Sequence, residues 1–362
     1  MSTVQSIWYG EGSGARIVRA ALSPASWLYE VGMRAREWRY ATAKEAVHAP
    51  AIPVLSLGNI TVGGTGKTPV AAWAAAQLRE RGAHPAIVMR GYGDDEPLVH
   101  ARLNPGVPVI VDADRVRGAE RARAGGADCA ILDDGFQHRR IARIADWVLV
   151  SAERWRDDLR LLPAGPLREP SSALRRADVL IVTRKSASRT KADEIAGRLS
   201  LQFPHLGIAM CHLALDALVD ARTGERRSLE WLADKRIVAV AAVGEPDAFF
   251  AQLRALGARV EARRFPDHHA FDANDVRALA VAADRREGLV CTLKDVVKLA
   301  ALWTPAAAPL WYVSQIAVIE RGGSVLDHGL EAVLAARQAA TSTAGADRPS
   351  SPPNGHRSTT AD

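Results

Sequence analysis

The segment Ser56-Leu-Gly-Asn-Ile-Thr-Val-Gly-Gly-Thr-Gly-Lys-Thr-Pro69 has the residue types and spacing of a phosphate cradle. An apolar run at 53–57 reads as a strand, glycines follow at once, and residues 69–81 (PVAAWAAAQLRER) read as a helix with proline in its first turn. No Cβ keeps phosphate oxygens from the backbone N–H groups of Gly63, Gly64 and Gly66, and the helix N-terminus favours negative charge. Lys67 is spaced to reach β/γ-phosphates and Thr68 to hold Mg²⁺, so the cradle runs through Thr61, Val62, Gly63, Gly64, Thr65, Gly66, Lys67 and Thr68. Thr61 stands where the general G-x-x-x-x-G-K-[ST] pattern has glycine. The chemistry indicated is binding of a nucleoside triphosphate.

Four further clusters bear on chemistry. In Ala130-Ile-Leu-Asp-Asp-Gly-Phe-Gln-His138, an apolar strand ends in Asp133 and Asp134, where a sheet of this kind anchors Mg²⁺; a plain Asp-Asp-Gly turn is the alternative. Met89-Arg-Gly-Tyr-Gly-Asp-Asp-Glu-Pro97 puts three acids after a strand, to meet a metal, a lysine or a substrate proton, or else to form a solvated loop. Leu161-Leu-Pro-Ala-Gly-Pro-Leu-Arg-Glu-Pro170 is a stiff loop whose Arg168 suits a phosphate clamp, unless the loop is simply a connector. In Phe265-Pro-Asp-His-His-Ala-Phe271 the adjacent histidines lack zinc spacing, whereas Asp267-His268 can orient an acid–base group or serve structure alone.

The elements that position these clusters are legible from periodicity. Apolar strands at 86–89, 107–111, 129–132, 147–150 and 179–183 alternate with helices, which implies a mostly parallel sheet covered on both faces. A longer strand near 208–219 precedes a second α/β set: strands at 237–243, 260–265, 289–293 and 310–313, with helices at 247–256 and 273–283. Residues 316–320 can run back beside 208–219, so that the chain crosses twice between domains. The expected division is an amphipathic helical arm at 1–50, a P-loop domain at 51–215, a second α/β domain with the returning strand at 216–338, and a disordered tail at 339–362 rich in Ser, Thr, Pro and Gly. Pro24 is expected to split the arm into two short helices, whose Trp, Leu and Arg residues suit either a bilayer interface or packing on the domain.

Composition sets outer bounds. The 362 residues, 48% hydrophobic and 24% charged, suffice for two full cores. Three dispersed cysteines make neither a metal spacing nor a disulfide framework, which favours a reducing compartment. A net charge of +6 points mildly to an anionic partner, and no apolar run has the length of a spanning helix. The protein is expected in the cytosol or on a membrane surface.

Taken in order, GNITVGGTGKTP, RGYG, DEP, DDGFQH, LPAGPLREP and FPDHH, with Thr292-Leu-Lys-Asp295 later, resemble the tetraacyldisaccharide 4′-kinase (lipid A 4′-kinase) family over roughly residues 27–320. The resemblance implies two α/β/α domains, the first of P-loop NTPase type and the second smaller, joined by a two-stranded linker. It implies ATP and Mg²⁺ as cofactors and transfer of phosphate to the 4′-hydroxyl of tetraacyldisaccharide 1-phosphate. The protein would act as a peripheral monomer at the cytoplasmic face of the bacterial inner membrane, docked by its arm. By the same resemblance Lys67 and Thr68 serve phosphates and metal, with Asp133, Asp134 and Glu169 completing the Mg²⁺ site. Asp95 accepts the hydroxyl proton, with Asp94 a competitor because the segment after RGYG is shorter than the family's. His268 tunes that base, and Asn59, Arg90, Tyr92, Arg115, His138 and Arg168 surround the disaccharide and its phosphate.

Rival readings are a P-loop switch ATPase or GTPase and a kinase of a soluble metabolite. The first lacks an Asn-Lys-x-Asp element, and the second has no use for a Trp- and Arg-rich arm. A third rival, a nucleic-acid-binding protein drawn by the positive charge, lacks any recognition motif, and its basic residues are not interleaved with aromatics.

Overall fold

A computed structural model of the chain describes residues 3–42, 46–91, 95–244, 246–304 and 307–346. Tyr92, Asp94 and the tail beyond 346 therefore lie outside the described residues. In chain order the elements are α1 (Thr3–Tyr9), α2 (Ser13–Ala41), β1 (Val54–Gly58), α3 (Lys67–Glu80), β2 (Pro85–Met89), α4 (Asp95–Leu103), β3 (Val109–Val111), α5 (Arg115–Ala124), β4 (Cys129–Asp133), β5 (Ala145–Ser151), β6 (Val179–Arg184) and α6 (Arg189–Gln202). They continue with β7 (Gly207–Asp220), β8 (Arg226–Arg227), β9 (Arg236–Ala241), α7 (Pro246–Ala255), β10 (Arg259–Arg264), α8 (Ala273–Asp284), β11 (Leu289–Thr292), α9 (Leu293–Leu299), β12 (Leu310–Arg321) and α10 (Gly323–Ala346).

The strands join in the order β10-β9-β11-β12-β7-β6-β5-β1-β4-β2-β3, with β8 on β7. Apart from the short β8, which runs antiparallel to β7, pairing within each half is parallel, as crossover connections that return each strand in the same direction produce. The halves meet where β12 runs antiparallel to β7, pairing Ile316 with Ala214 and Val318 with His212. That is the two-stranded link expected from 316–320. Helices cover both faces of each half, with Leu78, Ile131 and Trp147 in one core layer and Val148, Leu180 and Leu199 in the opposite one. The second half repeats the plan with Val238, Leu279 and Cys291 against Ile237, Phe250 and Trp311.

Two local expectations are corrected. Helix α2 continues through Pro24 instead of breaking there. An interior proline costs about 3 kcal/mol, but the helix is fixed on both sides of it. Arg19 bonds the carbonyls of Ile7 and Gly10, while Ser26 donates to Leu161 O at 3.0 Å and Tyr29 to Arg168 O at 2.8 Å. Helix α10 runs on to Ala346, past the expected start of a tail at 339, and it packs on the first domain, not the second. Its Leu326, Leu330 and Val333 recur at helical spacing and bury fully beside Trp147, and Arg337 pairs with Asp128 at 2.6 Å.

Candidate active site

β1 lies between β4 and β5, so the loop after β1 and the end of β4 open side by side at the carboxyl edge of the sheet, the usual ligand position in such folds. Gly58 permits this proximity: a Cβ there would sit 2.5 Å from the Cβ of Phe136 in the Asp-Asp-Gly-Phe loop. Gly66, with φ +85°, turns the backbone into the N-terminus of α3 in a conformation that L side chains resist. Lys67 then leans on Asn59 Oδ1 at 3.2 Å and Asp134 Oδ1 at 3.4 Å, and Thr68 Oγ1 lies 3.4 Å from Asp133 Oδ2. Thr61, Val62, Gly63, Gly64, Thr65, Gly66, Lys67 and Thr68 all line one cleft of about 640 Å³ between the domains.

Asp134 has φ +59°, outside the comfortable range for a residue with a side chain, which marks a position held by its partners. Arg168 grips it with both terminal nitrogens, at 2.7 and 2.8 Å. Burial alone would raise this carboxyl, but the Arg168 hydrogen bonds and the Lys67 charge outweigh it and hold Asp134 well below the usual range. Arg168 thus faces the cradle as expected, with its fork already engaged on protein. Asn59, expected against the substrate, is fully buried; it bonds Thr65 Oγ1 at 2.9 Å and accepts from Lys67 and Arg168. It braces the loop.

Glu169 is not with the metal-binding candidates. It is buried against Arg176 at 2.5 Å, in a small cleft shared with Met33, Arg36 and Arg139. Leu167 bridges Thr61 and Leu161 in extended backbone, and past it the neighbouring side chains diverge: Arg168 turns to Asp134 and Glu169 away from it. Arg115 is buried, with Nη1 on Asp112 O at 2.7 Å and Nε without a partner. It sits close enough to His138 to act on it. Burial, then Arg115, Arg90 and Arg36, push the His138 ring down to about 4. These groups form a cation cluster beside the cleft, and Arg90 also lines the cleft itself.

Asp95 opens α4 and is 5% exposed. From the second domain His268 Nδ1 comes within 3.5 Å of Asp95 Oδ2, and Lys298 Nζ within 4.0 Å. His268 has φ +59°, and its neighbour His269 is pinned by Asp275 at 2.7 Å and by the rings of Phe265 and Phe271. Glu96 lines the cleft, and burial raises its carboxyl, with Lys294 opposing and Asp133 and Asp95 adding to the shift.

Sequence reading missed His100, whose Nε2 lies 2.7 Å from Asp133 Oδ2 with the ring fully buried. Its signal was weak, because a residue five positions after Asp95 does not share its face of the helix, and only Val99 does. Lys294 lies within the Thr292-Leu-Lys-Asp295 motif of the resemblance, but the contacts of Lys298, Lys294 and Arg36 at the site cross between the domains or from the arm and could not be read from sequence spacing.

Residues 18–335 match the family described as Tetraacyldisaccharide-1-P 4′-kinase. A tetraacyldisaccharide 4′-kinase of Anaeromyxobacter sp. (strain K) is 37% identical, the alignment covering 93% of this chain and 97% of that one. One of Halorhodospira halophila is also 37% identical, with coverage of 86% and 91%. Among solved structures, LpxK from Aquifex aeolicus in complex with ATP superposes with a TM-score of 0.68 at 24% identity, covering 88% of this chain and 99% of that one, which shows the shared fold.

Proposed function

We propose a division of labour among the residues of this chain, which belongs to the tetraacyldisaccharide-1-P 4′-kinase family and is a kinase of the 4′-hydroxyl of tetraacyldisaccharide 1-phosphate. The donor is ATP, held by the loop 61–68, with Lys67 drawing charge from the β/γ-phosphates. The residues present fit Mg²⁺. Asp133 Oδ1 is buried with no protein partner, and Thr68 adds a hydroxyl beside the same carboxylate, the hard oxygen set that ion prefers. Thr68 and Asp133, with the adjacent charge of Asp134, would hold it; when bound it neutralises phosphate charge. Glu169 is left out of this set and serves Arg176.

Asp95 accepts the proton of the acceptor hydroxyl as the phosphoryl group transfers. A carboxylate suffices, because a loose transition state asks for positioning and charge neutralisation more than for deep deprotonation. His268 orients Asp95 from the second domain. The cations Arg90, Arg115 and Arg36, around the neutral ring of His138, offer the field for the substrate's own phosphate. The observation that carries the reading is the meeting of Asp95 and His268 from two domains beside the Lys67 cradle.

The arm supplies the lipid side. Ile17, Trp27, Leu28, Val31 and Trp38 are all exposed and share one stripe of α2, while Ser26, Tyr29 and Arg36 on the opposite face bond the protein body. No described helix is long and apolar enough to cross a membrane. This face lies in the cytoplasmic interface of the inner membrane, as a monomer, with its arginines near anionic headgroups.

The test is transfer of label from γ-labelled ATP to tetraacyldisaccharide 1-phosphate in mixed micelles, with Asp94→Ala and Asp95→Ala beside wild type. Loss with Asp95→Ala alone is expected, and loss with Asp94→Ala alone would move the base. ATP hydrolysis without lipid labelling would point to the switch-ATPase reading.

A further inference from the structure

His100 sits in the interior of α4, five residues after the proposed base, with no exposed surface. Its Nε2 is 2.7 Å from Asp133 Oδ2, and a carboxylate can only accept, so the ring proton resides on Nε2. The other ring nitrogen, Nδ1, is buried and has no partner. Thr68 Oγ1 approaches the same Oδ2 from the opposite element, α3, at 3.4 Å. Both protein contacts thus fall on one oxygen of Asp133, and the other, Oδ1, is left without a partner.

We propose that His100 is a positioning residue for phosphoryl transfer: it fixes the rotation of the Asp133 carboxylate so that Oδ1 is presented to the divalent cation, and it locks the helix that begins with Asp95 in register with the end of β4. The inference rests on the reading of Asp133 as a cation ligand. Partners of this kind are worth about 10–100-fold in metal affinity when removed. Because α4 also packs against α9 of the second domain, the same bond ties the base helix to the phosphate side while the helix also meets the second domain.

The test measures binding of a non-hydrolysable ATP analogue by calorimetry, with and without Mg²⁺, on the full chain. His100→Leu is expected to leave affinity without Mg²⁺ within about threefold and to cut the Mg²⁺-dependent gain by about 10–100-fold. His100→Gln, which returns an N–H near the Nε2 position, should restore most of that gain. A merely structural role would lower thermal stability and both affinities together in the Leu and Gln variants. Asp133→Asn separates the two readings: if it leaves the Mg²⁺ gain intact, the cation assignment fails. If Asp133→Asn abolishes the gain and His100→Leu does not, the role of His100 fails. Nitrogen-15 NMR of the wild-type ring needs no substitution, and a protonated Nδ1 with bare Nε2 would overturn the proposal directly.

Discussion

On the phosphate side of the cleft, Asn59, Lys67, Asp134 and Arg168 hold one another through contacts of 2.7 to 3.4 Å, all within a single domain. On the acceptor side, Asp95 meets His268 and Lys298 at 3.5 and 4.0 Å, across two domains joined through β7 and β12. The first arrangement is finished before any ligand arrives, and its charges are already paired. The second is a looser cover over a buried carboxylate, and an acceptor hydroxyl must part it to reach Asp95. Binding is therefore built into one fold, whereas chemistry is assembled between two. On the roles proposed above, that arrangement would delay the reactive geometry until substrate is in place and keep water from taking the phosphoryl group.

Substitutions on the two sides should fail in different ways. Lys67→Ala removes the cation aimed at the phosphates, leaves Asp134 facing Arg168 alone, and should cut transfer by about 10⁴-fold while weakening nucleotide binding. Single-turnover transfer and nucleotide titration measure both quantities. Asp95→Asn should lower kcat by about 10³-fold with nucleotide affinity within about threefold, because Asp95 does not touch the cradle. Equal losses of rate and nucleotide affinity in Asp95→Asn would erase the contrast between the two sides.

His268 sharpens it further, since strain and function are combined in one residue. Its φ of +59° is costly for a side-chain-bearing residue, about 1–3 kcal/mol, and natural for glycine. His268→Gly should therefore lower kcat by about 10–100-fold while holding or raising thermal stability. Calorimetric melting beside steady-state kinetics gives the answer, and a parallel fall in both would mean that the loop needs the imidazole to fold.

The same division explains what the sequence revealed. The cradle is contiguous, so glycine spacing, Lys67 and Thr68 were readable without any tertiary contact. The parallel strands of each half were readable too, because a buried parallel strand leaves an apolar run bounded by turns, and the return of 316–320 beside the long β7 was readable although that pair runs antiparallel and 316–320 is only partly buried. Direction of side chains outside helices was not. Glu169 was placed with the metal by family resemblance, and the divergence of neighbours past Leu167 shows that its side chain turns away to Arg176. Asn59 was expected by resemblance against the substrate, yet its amide and carbonyl are consumed inside the loop. Helix α2 survived its proline because distant partners in 160–168 hold it, a cost and compensation that local propensity cannot register.

A last and smaller effect concerns the cation cluster, which belongs to the prebuilt side. Burial, then Arg115, Arg90 and Arg36, hold His138 at about 4, below the ordinary 6.5, so its ring is neutral at pH 7. A histidine depressed in the folded state contributes stability that is present above about 6.5 and is lost as the pH falls through about 4. Chemical denaturation between these limits should thus show stability rising with pH, and His138→Gln should flatten that slope. An anion entering the cluster reverses the repulsion and raises the ring's affinity for a proton, so substrate phosphate should bind with proton uptake between pH 4 and 6.5. Calorimetry in two buffers of different ionisation heat detects that uptake. Its absence would mean that the phosphate binds away from His138 and that this part of the prebuilt side serves the fold alone.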